Sequence, residues 1–487
     1  CQRVDGLPLA IELAAARVRV LPPVTLLTHM EHPLSLLTGG PRDAPARQRT
    51  MRAAIAWSVD LLGPDARALF RQLACFPGSF SLRAIEDVAE PPTMGGKPGT
   101  ALHLDDVEAL VDSHLLHRVD PNPATPRFAM LTVIREYAGE LLDRAADARS
   151  TRARHANHFS SLARAQVPLL TTEDAATVLN ELDMELPNLR AAIATLLDQG
   201  EDAAALRLAA DLWRFWLLRG HISEGRHWLA RALASTGDER SALLGAALDA
   251  DGVLAFAQGD FSTARSRHDE ALLIARQHDD AALAARALIN LGAVADEQGF
   301  PEQAAAYLEE ALQVSRATGD HRALAVALAN LGQVAISLAQ YARAADLLNE
   351  AVLAFRALAD PRSEAAILAN LGLMSLMTGD APLARHCHLE ALRVFRDLGD
   401  QPAEAAELLN LGHATQQLGD RDEAATLFGE ALACFTQLGD RSGMAFAELH
   451  LGKLAMLRSE LDLAQAHLAR ALEAAETSHD WVATAES

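Results

Sequence analysis

A spacing of 40 residues runs through the second half of the chain and restricts its fold more than any other feature. Gly252, Gly292, Gly332, Gly372, Gly412 and Gly452 fall in register. Four of them close the same phrase: Asn290-Leu291-Gly292, Asn330-Leu331-Gly332, Asn370-Leu371-Gly372 and Asn410-Leu411-Gly412. Twelve residues after each glycine stands an alanine (Ala264, Ala304, Ala344, Ala384, Ala424, Ala464), and seven further on another (Ala271, Ala311, Ala351, Ala391, Ala431, Ala471). Asp280, Asp320, Asp360, Asp400, Asp440 and Asp480 mark the end of each unit. A sustained period of this length belongs to a supersecondary unit that buries its apolar face only by stacking on copies of itself.

The unit reads as two helices, one over Ala323 to about Ala339 and one over Ala342 to about Leu358. Glycine in the intervening turn (Gly299, Gly379) tolerates positive φ, and proline just after it (Pro301, Pro382) suits the first turn of the next helix. Gly332 lies inside the first helix, where it costs up to about 1 kcal/mol in propensity. Its recurrence implies close approach of the second helix, with Ala344 and Ala351 on one side and Leu347 and Phe355 filling the wider gaps. Each closing Asp can cap the helix that follows. A weaker unit over 203–240, with Trp213, Trp216, Gly220, Gly225 and Trp228, makes an atypical first of seven.

Leu291-Gly292, Gly299, Ala304, Leu308 and Ala311, with their equivalents, resemble the tetratricopeptide repeat. That resemblance implies a right-handed α-solenoid whose inner wall is lined by first helices. The unit of 40 residues exceeds the usual length of about 34, so the superhelical pitch is expected to differ. Wall candidates are Arg286, Ile289, Asp296, Gln333, Ile336, Leu373, Leu376, His413, Gln416 and Lys453. Mixed apolar and polar, they suit a peptide, a protein segment or a small-molecule effector.

The first part of the chain has different punctuation. Asp5-Gly6-Leu7-Pro8-Leu9-Ala10 leads into an apolar helix. Short amphipathic helices are expected over Ala53–Leu62, Asp65–Cys75, Ser81–Ala89 and Leu104–Leu116, with Ser81 as an N-cap. His117-Arg118-Val119 and Arg127-Phe128-Ala129-Met130 flank Asp120-Pro121-Asn122-Pro123, a hairpin signature. A helix over Leu131–Arg144 closes a winged-helix arrangement. Amphipathic helices over Arg152–Ala165 and Leu179–Asp198 follow.

Gly6-Leu7-Pro8-Leu9-Ala10, Arg47-Gln48-Arg49-Thr50-Met51-Arg52 through Trp57-Ser58, and Phe128 to Ala138 resemble the back half of STAND (NB-ARC-type) signalling ATPases, as in bacterial regulators related to AfsR and LuxR-type activators. The resemblance implies domains at 1–44 (end of a nucleotide-binding module), 45–148 (winged helix), 149–202 (helical linker) and 203–480 (repeats). It makes Pro8, Gly6 and Arg135 the cofactor-side candidates, relevant only in a full-length parent binding ATP or ADP. The family's Met-His-Asp sensor is Met130-Leu131-Thr132 here, without imidazole or carboxylate. Asn188-Leu189-Arg190-Ala191-Ala192 falls at the linker's matching point, which implies that the linker helices brace the winged helix against the solenoid.

No GxxxxGK[ST] loop is present, Gly95-Gly96-Lys97-Pro98 being only a turn, and no apolar strand ends in paired acids. No catalysis and no resident cofactor are therefore expected of this chain, which opens with Cys-Gln-Arg as a fragment would. The formal charge of -22 lies entirely beyond residue 160, which disfavours nucleic acid on the repeats. The winged helix's third helix carries Asp105, Asp106, Glu108 and Asp112 and no base, which disfavours DNA there too. Cys1, Cys75, Cys387 and Cys434 form no CxxC pair, and His386-Cys387-His388 cannot converge on a metal from one helix. Glu309, Glu310, Glu350, Glu390 and Glu430 read as a solvated acidic face. No apolar run approaches a membrane span of about 20 residues, so a bacterial cytoplasmic location is expected. Two functions stay open: the effector-binding sensor region of a signal-transducing ATPase in transcription regulation, contacting an upstream nucleotide-binding domain, or an autonomous protein-binding scaffold.

Overall fold

The computed structural model describes residues 7–18, 33–37, 49–89, 104–119, 126–171, 174–237 and 241–478. Asp5, Gly6, the turn at Asp120–Pro123, Gly95–Pro98 and Asp480 lie outside them. The chain divides into two compact units, Cys1–Gln258 and Gly259–Ser487.

The first unit opens with α1 (Pro8–Arg17), α2 (Pro33–Leu36), α3 (Met51–Asp60) and α4 (Pro64–Gln72). Then come β1 (Phe80–Ser81), α5 (Leu82–Val88), α6 (Leu104–Asp112), β2 (His117–Val119), β3 (Arg127–Ala129) and α7 (Thr132–Asp143). Caps start several of these helices. Thr50 Oγ1 accepts from Ala53 N at 3.0 Å, and Ser81 Oγ accepts from Ala84 N at 3.2 Å. The expected two-stranded wing is a three-stranded antiparallel sheet of order β1-β3-β2. Phe80 pairs with Phe128, and both rings are buried. A two-residue strand has no alternation to read, so β1 escapes a pattern search. The third helix stops at Asp112 rather than Leu116. His114 takes a left-handed φ of 57°, and Leu115 N and Leu116 N both donate to Leu110 O. That turn tucks Leu115 and Leu116 into the core.

The core joins Phe70, Phe76, Phe80 and Ile85 to Phe159 of α8 (Ala148–Gln166). Phe76 lies 4.5 Å from Phe80 and edge-on to Phe159 at 6.1 Å between centroids. Asp147, just before α8, accepts from Arg71 at 2.9 Å and Gln72 at 2.8 Å. Then follow α9 (Ala175–Gln199), α10 (Asp202–Asp211), α11 (Trp213–Leu218), α12 (Ile222–Ser235) and α13 (Ala242–Ala257). Of the tryptophans in this region only Trp216 is core, packed on Gly225, where an added Cβ would stand 2.6 Å from the indole. Trp213 and Trp228 are half-buried beneath Arg214 and Arg231.

The second unit is a run of helix pairs. Its elements are α14 (Phe261–Gln277), α15 (Ala281–Glu297), α16 (Pro301–Thr318), α17 (His321–Ser337), α18 (Tyr341–Ala357), α19 (Pro361–Thr378), α20 (Ala381–Asp397), α21 (Gln401–Gln417), α22 (Arg421–Leu438), α23 (Arg441–Leu457) and α24 (Leu461–Ser478). Each packs on the next, which is the tandem arrangement of a tetratricopeptide-like solenoid. Connections take two or three residues, so the length beyond the usual repeat resides in the helices. Asp280, Asp320, Asp360, Asp400 and Asp440 each accept from the backbone N three residues on, at 2.9 to 3.3 Å. The in-phase alanines are the contact surface: Ala304, Ala344, Ala384 and Ala424 are 0% exposed, as are Ala311, Ala351, Ala391 and Ala431.

Each helix-interior glycine meets the residue sixteen positions on. A Cβ on Gly292, Gly332, Gly372, Gly412 or Gly452 would lie 2.5 to 2.9 Å from Leu308, Leu348, His388, Phe428 or Leu468 respectively. The partner of Gly332 is therefore Leu348 and not the expected Leu347, which is only half-buried. One residue is about 100° of helix, so spacing alone leaves the two ambiguous.

Glu310, Glu350, Glu309 and Glu430 are not simply solvated. Arg276 pairs with Glu310 at 2.5 Å, Arg316 with Glu350 at 2.9 Å, Arg343 with Glu309 at 2.5 Å and Arg396 with Glu430 at 3.4 Å, each across neighbouring second helices. In His386-Cys387-His388, His386 is exposed while Cys387 and His388 are buried. His388 Nδ1 lies 2.8 Å from the buried Glu407.

Candidate functional site

On a helix, residues at i, i+4, i+7 and i+11 share a face. In α17 these are Val326, Asn330, Gln333 and Ser337. In α19 they are Ala366, Asn370, Leu373 and Met377, and in α21 Ala406, Asn410, His413 and Gln417. All twelve are exposed or half-buried, whereas the adjoining Leu331, Gly332, Leu371, Gly372, Leu411 and Gly412 are buried. Consecutive first helices also touch one another, so these stripes adjoin as one wall.

The expected wall residues fall on or beside this face. Arg286, Gln333 and Leu373 are exposed; Asp296, Ile336, Leu376, His413, Gln416 and Lys453 are half-buried. Ile289 is 7% exposed and packs in the core, one residue short of the open stripe. Burial pushes the Asp296 carboxyl up, with Glu297 adding repulsion. His413 lies 4.0 Å from His450 and 5.4 Å from Phe428 between ring centroids. Burial, then His413 and Lys453, push His450 down to about 3, so its ring is neutral at pH 7. Gln416 borders an open depression of about 750 Å³ with Asp420, Arg421, Asp422, Leu457 and Arg458. Arg458 is already held there by Asp422 at 2.5 Å and the Arg421 carbonyl at 2.8 Å.

The asparagine of Asn-Leu-Gly belongs to this wall as well. Its leucine and glycine are explained by packing, but Asn290, Asn330, Asn370 and Asn410 stand half-buried on the wall, one per first helix. Asparagine is a poor helix former, so its recurrence at a helix interior has no local cause. Among the described residues, no intramolecular hydrogen bond engages the side-chain amides of Asn330, Asn370 or Asn410.

In the first unit, Pro8 is exposed at the start of α1, and Arg135 is half-buried on α7. Between these helices lies α2, which touches both. Arg17 Nε donates to Leu36 O at 3.2 Å, and Leu34 N donates to Glu136 Oε2 at 2.9 Å. Met130 is buried, and Leu131 occupies the N-cap of α7 in extended conformation. Among the described residues no group of three or more His, Cys, Asp or Glu is placed to hold a metal. No helix of the described residues is long and apolar enough to cross a membrane.

These units match the tetratricopeptide repeat. The family model covers residues 246–317, 284–357 and 363–437. A candidate HTH-type transcriptional regulator of Mycobacterium tuberculosis is 34% identical over 311 residues, which is 60% of this chain and 33% of that protein. A Mycobacterium bovis protein of the same description matches equally. The chain thus spans about a third of the length of these curated relatives. Among solved structures, a STAND protein with a tetratricopeptide repeat sensor from Pyrococcus horikoshii has a similar fold, with a TM-score of 0.59 at 15% identity. That similarity covers 98% of this chain and 70% of the archaeal one.

Proposed function

We propose that the tetratricopeptide array binds an extended peptide, or an extended tail of a partner protein, along the wall of first helices. The asparagine row carries this reading. A side-chain amide offers one acceptor and two donors, which is the complement of a backbone peptide group. Helices in contact lie roughly 8–10 Å apart, about three residues of extended chain. Successive asparagines therefore reach peptide groups about three residues apart along an extended chain, while Gln333, Leu373, Met377 and His413 face the peptide's side chains. The ligand's main chain supplies affinity and its side chains supply selectivity.

The test is a peptide array probed with wild-type protein and with the triple variant Asn330→Ala/Asn370→Ala/Asn410→Ala. The variant should keep its helical circular dichroism and thermal midpoint, because these side chains make no internal bonds. It should lose binding to every peptide that wild type captures. Undiminished capture would refute the reading.

A second reading puts this binding within a switch. The archaeal fold similarity over 98% of the chain, together with relatives described as transcriptional regulators, favours a sensor region of a STAND-type regulator, of the kind related to AfsR and LuxR-type activators. In that reading 1–44 ends a nucleotide-binding module, 45–148 is the winged helix, 149–202 the linker and 203–480 the repeats. Pro8, Gly6 and Arg135 would face ATP or ADP in the parent, and the bound partner would shift the nucleotide-dependent equilibrium by its affinity difference between states. Peptide affinity measured on the parent with ATP and with ADP should differ; equal affinities would leave the scaffold reading alone.

A further inference from the structure

Helices α8 and α10 together line an open surface cleft, a second kind of site independent of the asparagine row. From α8, Asn157, Ser160, Ser161 and Arg164 face a cleft of about 360 Å³; from α10, Ala203, Ala204, Arg207, Leu208 and Asp211 complete it. Each set follows helical spacing, so each presents one face. The small residues Ala203, Ala204, Ser160 and Ser161 create the gap, and its volume falls within the usual range for small-molecule pockets.

The chemistry of the lining is concentrated at one end. Asp211 lies near both Arg164 and Arg207, and burial pushes its carboxyl up even against those two cations. Neither guanidinium reaches it to form an ion pair or hydrogen bond, and among the described residues neither has another partner. Two guanidinium groups and one carboxylate leave an excess positive charge in a chain whose net charge is -22. Ser160 spends its proton on the Ala156 carbonyl at 2.8 Å, so its oxygen remains an acceptor.

We propose that this cleft binds a small polar ligand bearing an oxyanion, a carboxylate or a phosphate. Arg164 and Arg207 hold the oxyanion, and a hydroxyl or amine of the ligand donates to Asp211. Forked guanidinium donors match the oxygens of such groups, and Arg164 and Arg207 are both exposed at the mouth of the cleft. The position gives the site consequence. α8 is tied to the wing-bearing helices through Asp147 with Arg71 and Gln72, and through His158 with Asp87 at 2.8 Å. α10 packs on α12 and α13. A ligand gripping both helices therefore fixes the angle between these two parts of the first unit.

The experiment is isothermal titration of the full chain with inorganic phosphate, glycerol 3-phosphate and malate, and with glycerol as the uncharged counterpart. At least one oxyanion should bind more tightly than about 1 mM, and glycerol should not. The double variant Arg164→Gln/Arg207→Gln should weaken that binding at least about tenfold with unchanged circular dichroism and thermal midpoint. Asp211→Asn should weaken the hydroxylated ligands selectively and spare inorganic phosphate. Tighter binding of the phosphoester or of malate assigns the oxyanion class. No binding by any probe, or affinity that follows ionic charge alone and survives the double variant (an adventitious ion only), would overturn the proposal.

Discussion

Arg127 of the wing and Glu185 of α9 form an ion pair at 2.6 Å with each side chain only 9% exposed. Arg127 also donates to Ser79 Oγ and to the Ser79 carbonyl, and Asn188 donates to Glu185 and to that same carbonyl. Gly78 rests on Pro187, where a Cβ would come within 3.2 Å. One helix thereby holds both the central strand β3 and the segment leading into β1. Asn188 of the linker motif is thus part of a buried polar cluster within the first unit.

Breaking that pair leaves a buried charge without its partner. Glu185→Ala is expected to destabilise the first unit by about 3–5 kcal/mol. The double change Arg127→Met/Glu185→Leu should recover most of the loss, because neither charge is then buried. Urea unfolding followed by tryptophan fluorescence reads mainly this unit, since four of the chain's five tryptophans, Trp57, Trp213, Trp216 and Trp228, lie in it. A single variant as stable as wild type would show the pair to be dispensable.

Helical glycines should respond with opposite signs to the same substitution. Ordinarily Gly→Ala inside a helix gains about 0.5–1 kcal/mol. Gly429 on α22 has open space around its missing Cβ, so Gly429→Ala should raise the thermal midpoint. At Gly412 a Cβ would stand 2.5 Å from the Phe428 ring, which is 0% exposed. Gly412→Ala should therefore lose about 1–3 kcal/mol through overpacking. Calorimetry of the two variants decides it; equal shifts would contradict the close approach.

Much of this was legible because repetition averages out local ambiguity. Asp320 and Ala344 recur at one phase, and the structure gives each a single job, capping and contact. What stayed illegible had no repeat or no pattern to carry it. Arg127 and Glu185 are 58 residues apart with no spacing rule to join them. Phe80–Ser81 is too short to alternate. The second helices' glutamates recur in phase, but their arginine partners sit on the neighbouring unit, so the pairing requires the stacking geometry. The asparagines were visible as a motif, yet periodicity alone cannot separate a packed position from an exposed neighbour one residue away.

Turns offer the reverse of the glycine argument. Gly299, Gly319, Gly379, Gly399, Gly419 and Gly439 adopt φ between 65° and 92°. At the equivalent places Ala339 has φ 55° and Ala359 has φ 50°, where a Cβ crowds the following carbonyl. Ala339→Gly and Ala359→Gly should each stabilise the second unit by about 1 kcal/mol, offset in part by the greater freedom of glycine in the unfolded chain. Chemical denaturation followed by circular dichroism measures it, and a loss of stability in both would show that the left-handed turn carries no strain.

Acid should weaken both units through buried neutral histidines. Burial pushes His155, packed against Phe76 and Phe159, down to about 3, and His450 likewise. The unfolded chain protonates these rings near pH 6.5, so between about 6.5 and 3 it binds protons that the folded chain does not. Their stabilising effect is thus whole above pH 6.5 and declines as the pH falls towards 3, by up to about 1.4 kcal/mol per pH unit for each ring. His155→Phe should flatten the acid limb recorded by tryptophan fluorescence, and His450→Phe the limb recorded by repeat-unit circular dichroism. His450→Phe leaves His413 and Lys453 beside an apolar ring that cannot charge. Unchanged acid limbs in both variants would mean that these rings take up protons in the folded state as readily as in water.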